Sequence, residues 1–345
     1  MKTIIKESII FLLLTENGFQ NQQNIFRRLK KMKKKLGIVA LVLTLTIVTS
    51  SIASAGFLDF FGGSSKGEVN LYTNRHYDTD EELLNKFEEK TGIKVNVLKG
   101  DSDELIERIA REGENTQADL LITADAGRLH RAKSRGLLQT VQSEKLNTNI
   151  PQNLRDKDNQ WFGLTVRGRV IVYDKDSVDP SEINTYQDLT SDKWEDEILV
   201  RSSSNIYNQS LLASMIALHG EEKATDWARG VVENMARRPK GNDRAQAIAV
   251  ASGVGDIAIM NTYYMGKMLN SSDPQQVKVA QEDVEILFPE PTHINVSGIG
   301  LTKHAKNKEN AVKLMEYLSS KEAQQFFAEA NYEYPANPRV EPSDL

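Results

Sequence analysis

Among the 345 residues there is no cysteine, so the chain can form no disulfide, offer no thiolate to a metal and carry no lipid on an N-terminal cysteine. Zinc fingers and iron–sulfur clusters are excluded with it. Enzyme signatures are missing too: there is no Gly-x-Ser-x-Gly elbow between a strand and a helix, no glycine-rich phosphate loop ending in Lys-Ser/Thr, and no His-Glu-x-x-His. Ser202-Ser203-Ser204 is then a generic anion-binding or capping stretch. Positive charge is scarce where a polyanion would need it. The chain carries −5 overall, yet residues 1–55 hold nine of its 43 Lys and Arg and only two of its 48 Asp and Glu, so the remainder is strongly acidic. Nucleic acid is not an expected partner.

What is present is ordinary for a soluble globular protein, with 39% hydrophobic and 26% charged residues, and the length suits two domains better than one. The N-terminus is organised differently. Met32-Lys33-Lys34-Lys35 opens a basic segment, 36–48 is almost wholly apolar, and Ala53-Ser54-Ala55 supplies small residues where signal peptidase cuts. Export with cleavage after Ala55 is expected, with translation starting at Met32 and residues 1–31 upstream of it. Arg27-Arg28 is a weak twin-arginine match, so the export route stays open. Residues 56–67, rich in Gly and Ser, read as a flexible leader.

From 68 onward the pattern is βαβαβα. Strands are expected over 69–73, 93–98 and 118–123, and helices over 80–91, after Ser102 as cap, and over 125–135, with Gly92 and Gly136 as stops. That alternation predicts a parallel sheet with helices on its faces. A long β-prone run at 161–174 breaks the rhythm and could link two lobes. A second α/β unit follows, with strands at 198–201 and 256–260 and helices around 209–219, 221–235 and 243–251. The stretch 284–288 and then 296–302 reads as the return crossing. Two terminal helices follow, at 310–318 and after a capping box in Ser319-Ser320-Lys321-Glu322. Two α/β lobes joined by two extended crossings leave a cleft between them, where ligands usually bind.

Ligands of open α/β sheets sit beyond the carboxyl ends of strands. Tyr77, Tyr207 and the pair Tyr263-Tyr264 all fall just past such ends. Phenolate oxygen is a hard donor, so several converging on one point would suit a hard, highly charged cation such as ferric iron. A helix beginning at Tyr263 would place its positive N-terminal end near the pair and favour phenolate. Four phenolates on a trivalent ion leave a net charge of about −1, for which Arg75, Arg167 and Arg169 are candidate counter-charges. His76 is a candidate fifth ligand or outer donor. Tyr72, Tyr173, Tyr317, Tyr332 and Tyr334 read as structural. The residues alone leave two rivals: a receptor for another small anion or organic cation, and an enzyme using tyrosine as acid or nucleophile, for which a positioned base is wanting.

Val69-Asn70-Leu71-Tyr72-Thr73-Asn74-Arg75-His76-Tyr77, Ser204-Asn205-Ile206-Tyr207-Asn208-Gln209, Asn261-Thr262-Tyr263-Tyr264 and residues 298–328 together resemble the ferric-iron-binding solute receptors of ABC transporters, of the FbpA/FutA type. The resemblance runs from about 68 to 338. It implies a two-lobed, type II venus-flytrap fold with two crossing strands as hinge, lobe 1 being 68–163 plus 290–345 and lobe 2 being 164–289. It further implies Tyr77, Tyr207, Tyr263 and Tyr264 as Fe(III) ligands, His76 as an additional one, and Arg167 as the basic cleft residue. The partner would be an ABC permease of the inner membrane, served by a monomeric periplasmic receptor. Such chains usually continue past Asn331-Tyr332-Glu333-Tyr334-Pro335 into another helical segment, so either stability or lobe docking is expected to suffer here or the gene model is incomplete.

Overall fold

The computed structural model describes residues 67–75 and 77–344. The export signal, the leader up to residue 66, and His76 lie outside the described residues. Strands β1 (Glu68–Thr73), β2 (Lys94–Lys99) and β3 (Leu120–Thr123) are parallel, β1 lying between the other two. Helix α1 (Asp78–Thr91) crosses from β1 to β2, burying Leu83 and Phe87 and ending at Gly92, whose φ of 71° only glycine adopts without strain. Helix α2 (Ser102–Glu112) returns toward β3. It is capped by Asp101 rather than by the expected Ser102, the carboxylate accepting from the amides of Asp103 and Glu104. An anion at that helix end has the dipole as well as the hydrogen bonds in its favour. Helix α3 (Ala126–Ser134) follows β3 with Asp125 as its cap, and a short helix, α4 (Glu144–Asn149), comes after it.

The long β-prone run is one 14-residue strand, β4 (Trp161–Asp174). In the second α/β unit come β5 (Ile198–Leu199), α5 (Ile206–His219), α6 (Glu221–Glu233), α7 (Asp243–Val250) and β6 (Ile257–Asn261). Helices α8 (Tyr263–Leu269) and α9 (Pro274–Lys278) lead to β7 (Val284–Leu287) and then β8 (Ile294–Leu301). Helices α10 (Lys308–Leu318) and α11 (Lys321–Asn331) and the two-residue β9 (Tyr334–Pro335) close the chain. The capping box expected at Ser319 does not form. Ser320 is the cap, accepting from Ala323, so Glu322 falls one position early and pairs with Lys90 instead.

The strand order is β2-β1-β3-β8-β4-β6-β5, with β7 and β9 on β4. What organises it is a change of partner inside β4. Residues from Trp161 to Gly168 pair antiparallel with β8, whereas Arg169 to Tyr173 pair with β6. Apolar residues on the two sides of that change belong to separate cores, one around Leu71, Phe87, Phe162 and Phe327 and another around Ile171, Tyr186, Trp194 and Trp227. The chain is therefore mixed α/β with β4 and β8 as the two crossing strands. The closing segment is tied down: Gln324 accepts from the amides of Ala336 and Asn337, and Val340 is buried.

Candidate metal centre

Each of the four tyrosines is fixed at a helix start after a strand. Tyr77 precedes α1, two residues beyond Arg75. Tyr207 is the second residue of α5, which begins earlier than expected because Asn205 caps it and accepts from the Tyr207 amide at 3.0 Å. Tyr263 and Tyr264 are the first residues of α8, one residue beyond β6. All four are buried. The Tyr263 and Tyr264 rings stack at 4.3 Å between centroids, and Tyr77 meets Tyr263 edge-on at 5.9 Å. Tyr207 is near enough to act electrostatically on both Tyr77 and Tyr263. The structure thus brings the four sequence-selected tyrosines together.

Burial dominates the acidity of Tyr77, Tyr263 and Tyr264. It raises the phenols of Tyr77 and Tyr263 well above the ordinary tyrosine range and that of Tyr264 above it, with neighbouring phenolate or carboxylate charge adding to the rise. The helix-end effect expected at Tyr263 is therefore too small to ionise it, as befits a helix of seven residues. The Tyr263 hydroxyl is buried without a hydrogen-bond partner. Exchange of its proton for a bond to a metal would satisfy that oxygen.

The three candidate arginines divide by what they already hold. Arg75 is fully occupied: Asp80 binds it at 2.7 and 3.1 Å, Glu333 at 2.8 Å, and Ser297 at 3.1 Å. Arg169 pairs with Asp243 and donates to Asn208 at 2.6 Å. Arg167 is different. Fully buried on β4, it donates to the Ala124 carbonyl, but its Nε and Nη1 have no hydrogen-bond partner, and Glu333 lies 3.6 Å from Nη1. Burial opposes its charge, yet Tyr207 and Glu333 outweigh burial and strengthen it. Its guanidinium carbon lies 5.4 Å from the Tyr207 ring centre, and Arg201 faces the same ring at 5.4 Å.

A polar cavity of about 550 Å³ opens beside these groups, lined by Tyr207, Tyr264, Arg201, Arg128 and Asn74 among others. Among the described residues no group of three or more His, Cys, Asp or Glu converges as a metal site. The sequence reading missed Glu333, Asp243 and Lys267. Glu333 joins Arg75 to Arg167 from the far end of the chain, Asp243 holds Arg169 and Arg201, and Lys267 lies over Tyr77. Asp243 opens a helix as a first-turn carboxylate, which was the one available signal; Glu333 had none.

The family of bacterial extracellular solute-binding proteins matches residues 115–345. Iron uptake protein A1 of Synechocystis sp. is 53% identical over 272 residues, covering 78% of this chain and 75% of that protein. The Trichodesmium FutA (IdiA) structure with iron and citrate ligands superposes with a TM-score of 0.75 at 51% identity, over 81% of this chain and 89% of that one. The ferric binding protein of Campylobacter jejuni gives a TM-score of 0.77 at 46% identity, over 80% and 89%.

Proposed function

The chain belongs to the bacterial extracellular solute-binding proteins, and from that premise we propose that it captures ferric iron outside the cytoplasm and delivers it to an ABC permease. The observation that carries this reading is the gathering of four buried tyrosines from three separate helix starts beside Arg167, a buried guanidinium with two nitrogens that make no hydrogen bond. Tyr77, Tyr207, Tyr263 and Tyr264 are the ligands in this proposal, and His76 is the candidate for a further position. A trivalent ion with four phenolates carries about −1, which Arg167 offsets in a site largely withdrawn from water. Capture then proceeds by exchange: the ion displaces phenolic protons that burial holds firmly, and the Tyr263 oxygen gains the bond it lacks.

The two lobes are taken as 68–163 plus 290–345 and 164–289, hinged on the crossing strands. Tyr77 comes from the first and Tyr207, Tyr263 and Tyr264 from the second, so iron would bridge them and favour the closed form by its higher affinity there. The role is binding and delivery rather than turnover, by a monomer in the periplasm after cleavage following Ala55. Metal analysis and a visible spectrum of protein purified without chelator test this. Near-stoichiometric iron with a phenolate-to-iron charge-transfer band is expected; protein that takes up ferric iron without any such band overturns the ligand set, and protein that takes up none overturns the function.

A further inference from the structure

We propose that Lys267, which ligates nothing, is the positioning cation that holds the Tyr77 and Tyr263 rings together, and that it sets how tightly bound iron is retained. This rests on the ferric-receptor reading above. Lys267 lies four residues after Tyr263 on α8, so the two side chains share one face of the helix. Its Nζ sits 4.1 Å from the Tyr77 ring centre and 5.5 Å from that of Tyr263. The Arg75 guanidinium carbon lies 4.6 Å from the same Tyr77 ring. Tyr77 is therefore held by two cations while its edge meets Tyr263.

Three observations separate this from a surface lysine. The side chain is half-buried, and among the carboxylates whose side chains are described none lies within ion-pair distance of it. The acidic groups that act on it, Glu333 and Asp80, are both bound to Arg75. An ammonium withdrawn from water without a carboxylate needs some other source of negative potential, and here the faces of the two tyrosines supply it. The helix is also closely packed at this point. A Cβ at Gly266 would lie 2.6 Å from the Tyr332 side chain, so this turn of α8 is seated directly on the segment that carries Glu333.

The consequence is a difference between states. A ring whose oxygen has become phenolate is richer in electrons than a phenol, so an ammonium over its face is held more strongly when metal is bound than when the site is protonated. Lys267 thereby favours the loaded form without touching the ion. Since Tyr77 and Lys267 come from segments assigned to opposite lobes, the same contact resists opening.

Lys267→Met keeps the length and apolar stem but removes the charge, and Lys267→Arg keeps the charge. Iron-loaded wild type and both variants are titrated with citrate while the visible band is followed, and the metal-free proteins are compared by solution scattering. The methionine variant should release iron at roughly tenfold lower citrate. Its band should move to longer wavelength as the Tyr77 donor loses a neighbouring positive charge, and its metal-free form should be more extended. Arginine should restore all three. A methionine variant matching wild type in retention and band overturns the proposal, as does an arginine variant that loses iron as readily as methionine. Should methionine fail to fold, the arginine variant together with Lys267→Gln decides by the same criteria. Wild type without iron or band indicts the receptor reading instead, before any variant is compared.

Discussion

Glu333 binds the Arg75 guanidinium at 2.8 Å, with both side chains out of contact with solvent, and so ties the chain after α11 to the end of β1. The same carboxylate lies 3.6 Å from Arg167. One acidic group thus serves two buried cations. Removing it leaves Arg75 with Asp80 but Arg167 with no carboxylate, and breaking a buried pair from one side costs about 3–5 kcal/mol. Because Asp80 remains, Glu333→Gln is expected near the lower end, about 3 kcal/mol, in urea unfolding of the metal-free protein. A loss below about 0.5 kcal/mol would mean that the pair does not hold this segment.

Tyr263→Phe should separate stability from binding. The hydroxyl is buried without a partner, and such a group costs about 1–3 kcal/mol. Its removal should leave the metal-free protein as stable as wild type or more so, by about 1 kcal/mol, while weakening the charge-transfer band and iron retention. Thermal unfolding without metal and an iron titration read the two effects. A variant that loses stability and keeps its band contradicts both halves.

The parts of this site that were legible in the sequence are those set by local pattern. Strand β4 was readable at full length because it is buried almost throughout, giving a continuous β-prone run. The tyrosines were readable because strand ends are marked by the periodicity on either side. Glu333 was not, since its partner Arg75 is 258 residues away and no local period records such a pairing. Lys267 was hidden for another reason: its partners are aromatic faces, and a lysine near the end of a short helix otherwise reads as solvated charge complementing the dipole. The cap of α2 was misplaced by one residue because Asp101 and Ser102 are both good caps, and only the geometry chooses between them.

His293, just before β8, should make the metal-free protein sensitive to mild acid. Burial pushes its imidazole down to about 4, against Asp125, which acts to raise it, while Arg169 acts to lower it. Asn295 Nδ2 and Ser210 Oγ lie 3.2 and 3.1 Å from its Nε2, so the neutral ring has hydrogen-bonding partners there. The folded value is depressed below the unfolded one, so the unfolded chain binds the proton first. The contribution is present above about pH 6.5 and is lost as the pH falls toward 4, amounting to about 2–3 kcal/mol. Urea unfolding of wild type and His293→Gln across that window should show a steeper fall for wild type; parallel curves would remove His293 from the account.

Iron release should be linked to protons, with Arg167 setting the pH at which it occurs. Phenolates must be deprotonated to bind, and burial raises Tyr77, Tyr263 and Tyr264, so acid competes for the same oxygens as the metal. Arg167 is fully buried, 5.4 Å from the Tyr207 ring centre, and its charge lowers the cost of ionising Tyr77. Its fixed positive charge favours phenolate. Taking it away raises the phenol affinities for protons, so protons win at a higher pH, and the midpoint of release for Arg167→Ala should move up by about one unit. A titration of the visible band reads this directly. Reversal of the shift would mean that the guanidinium repels the ion more than it supports the ligands, and a wild-type release curve independent of pH would count against phenolate coordination itself.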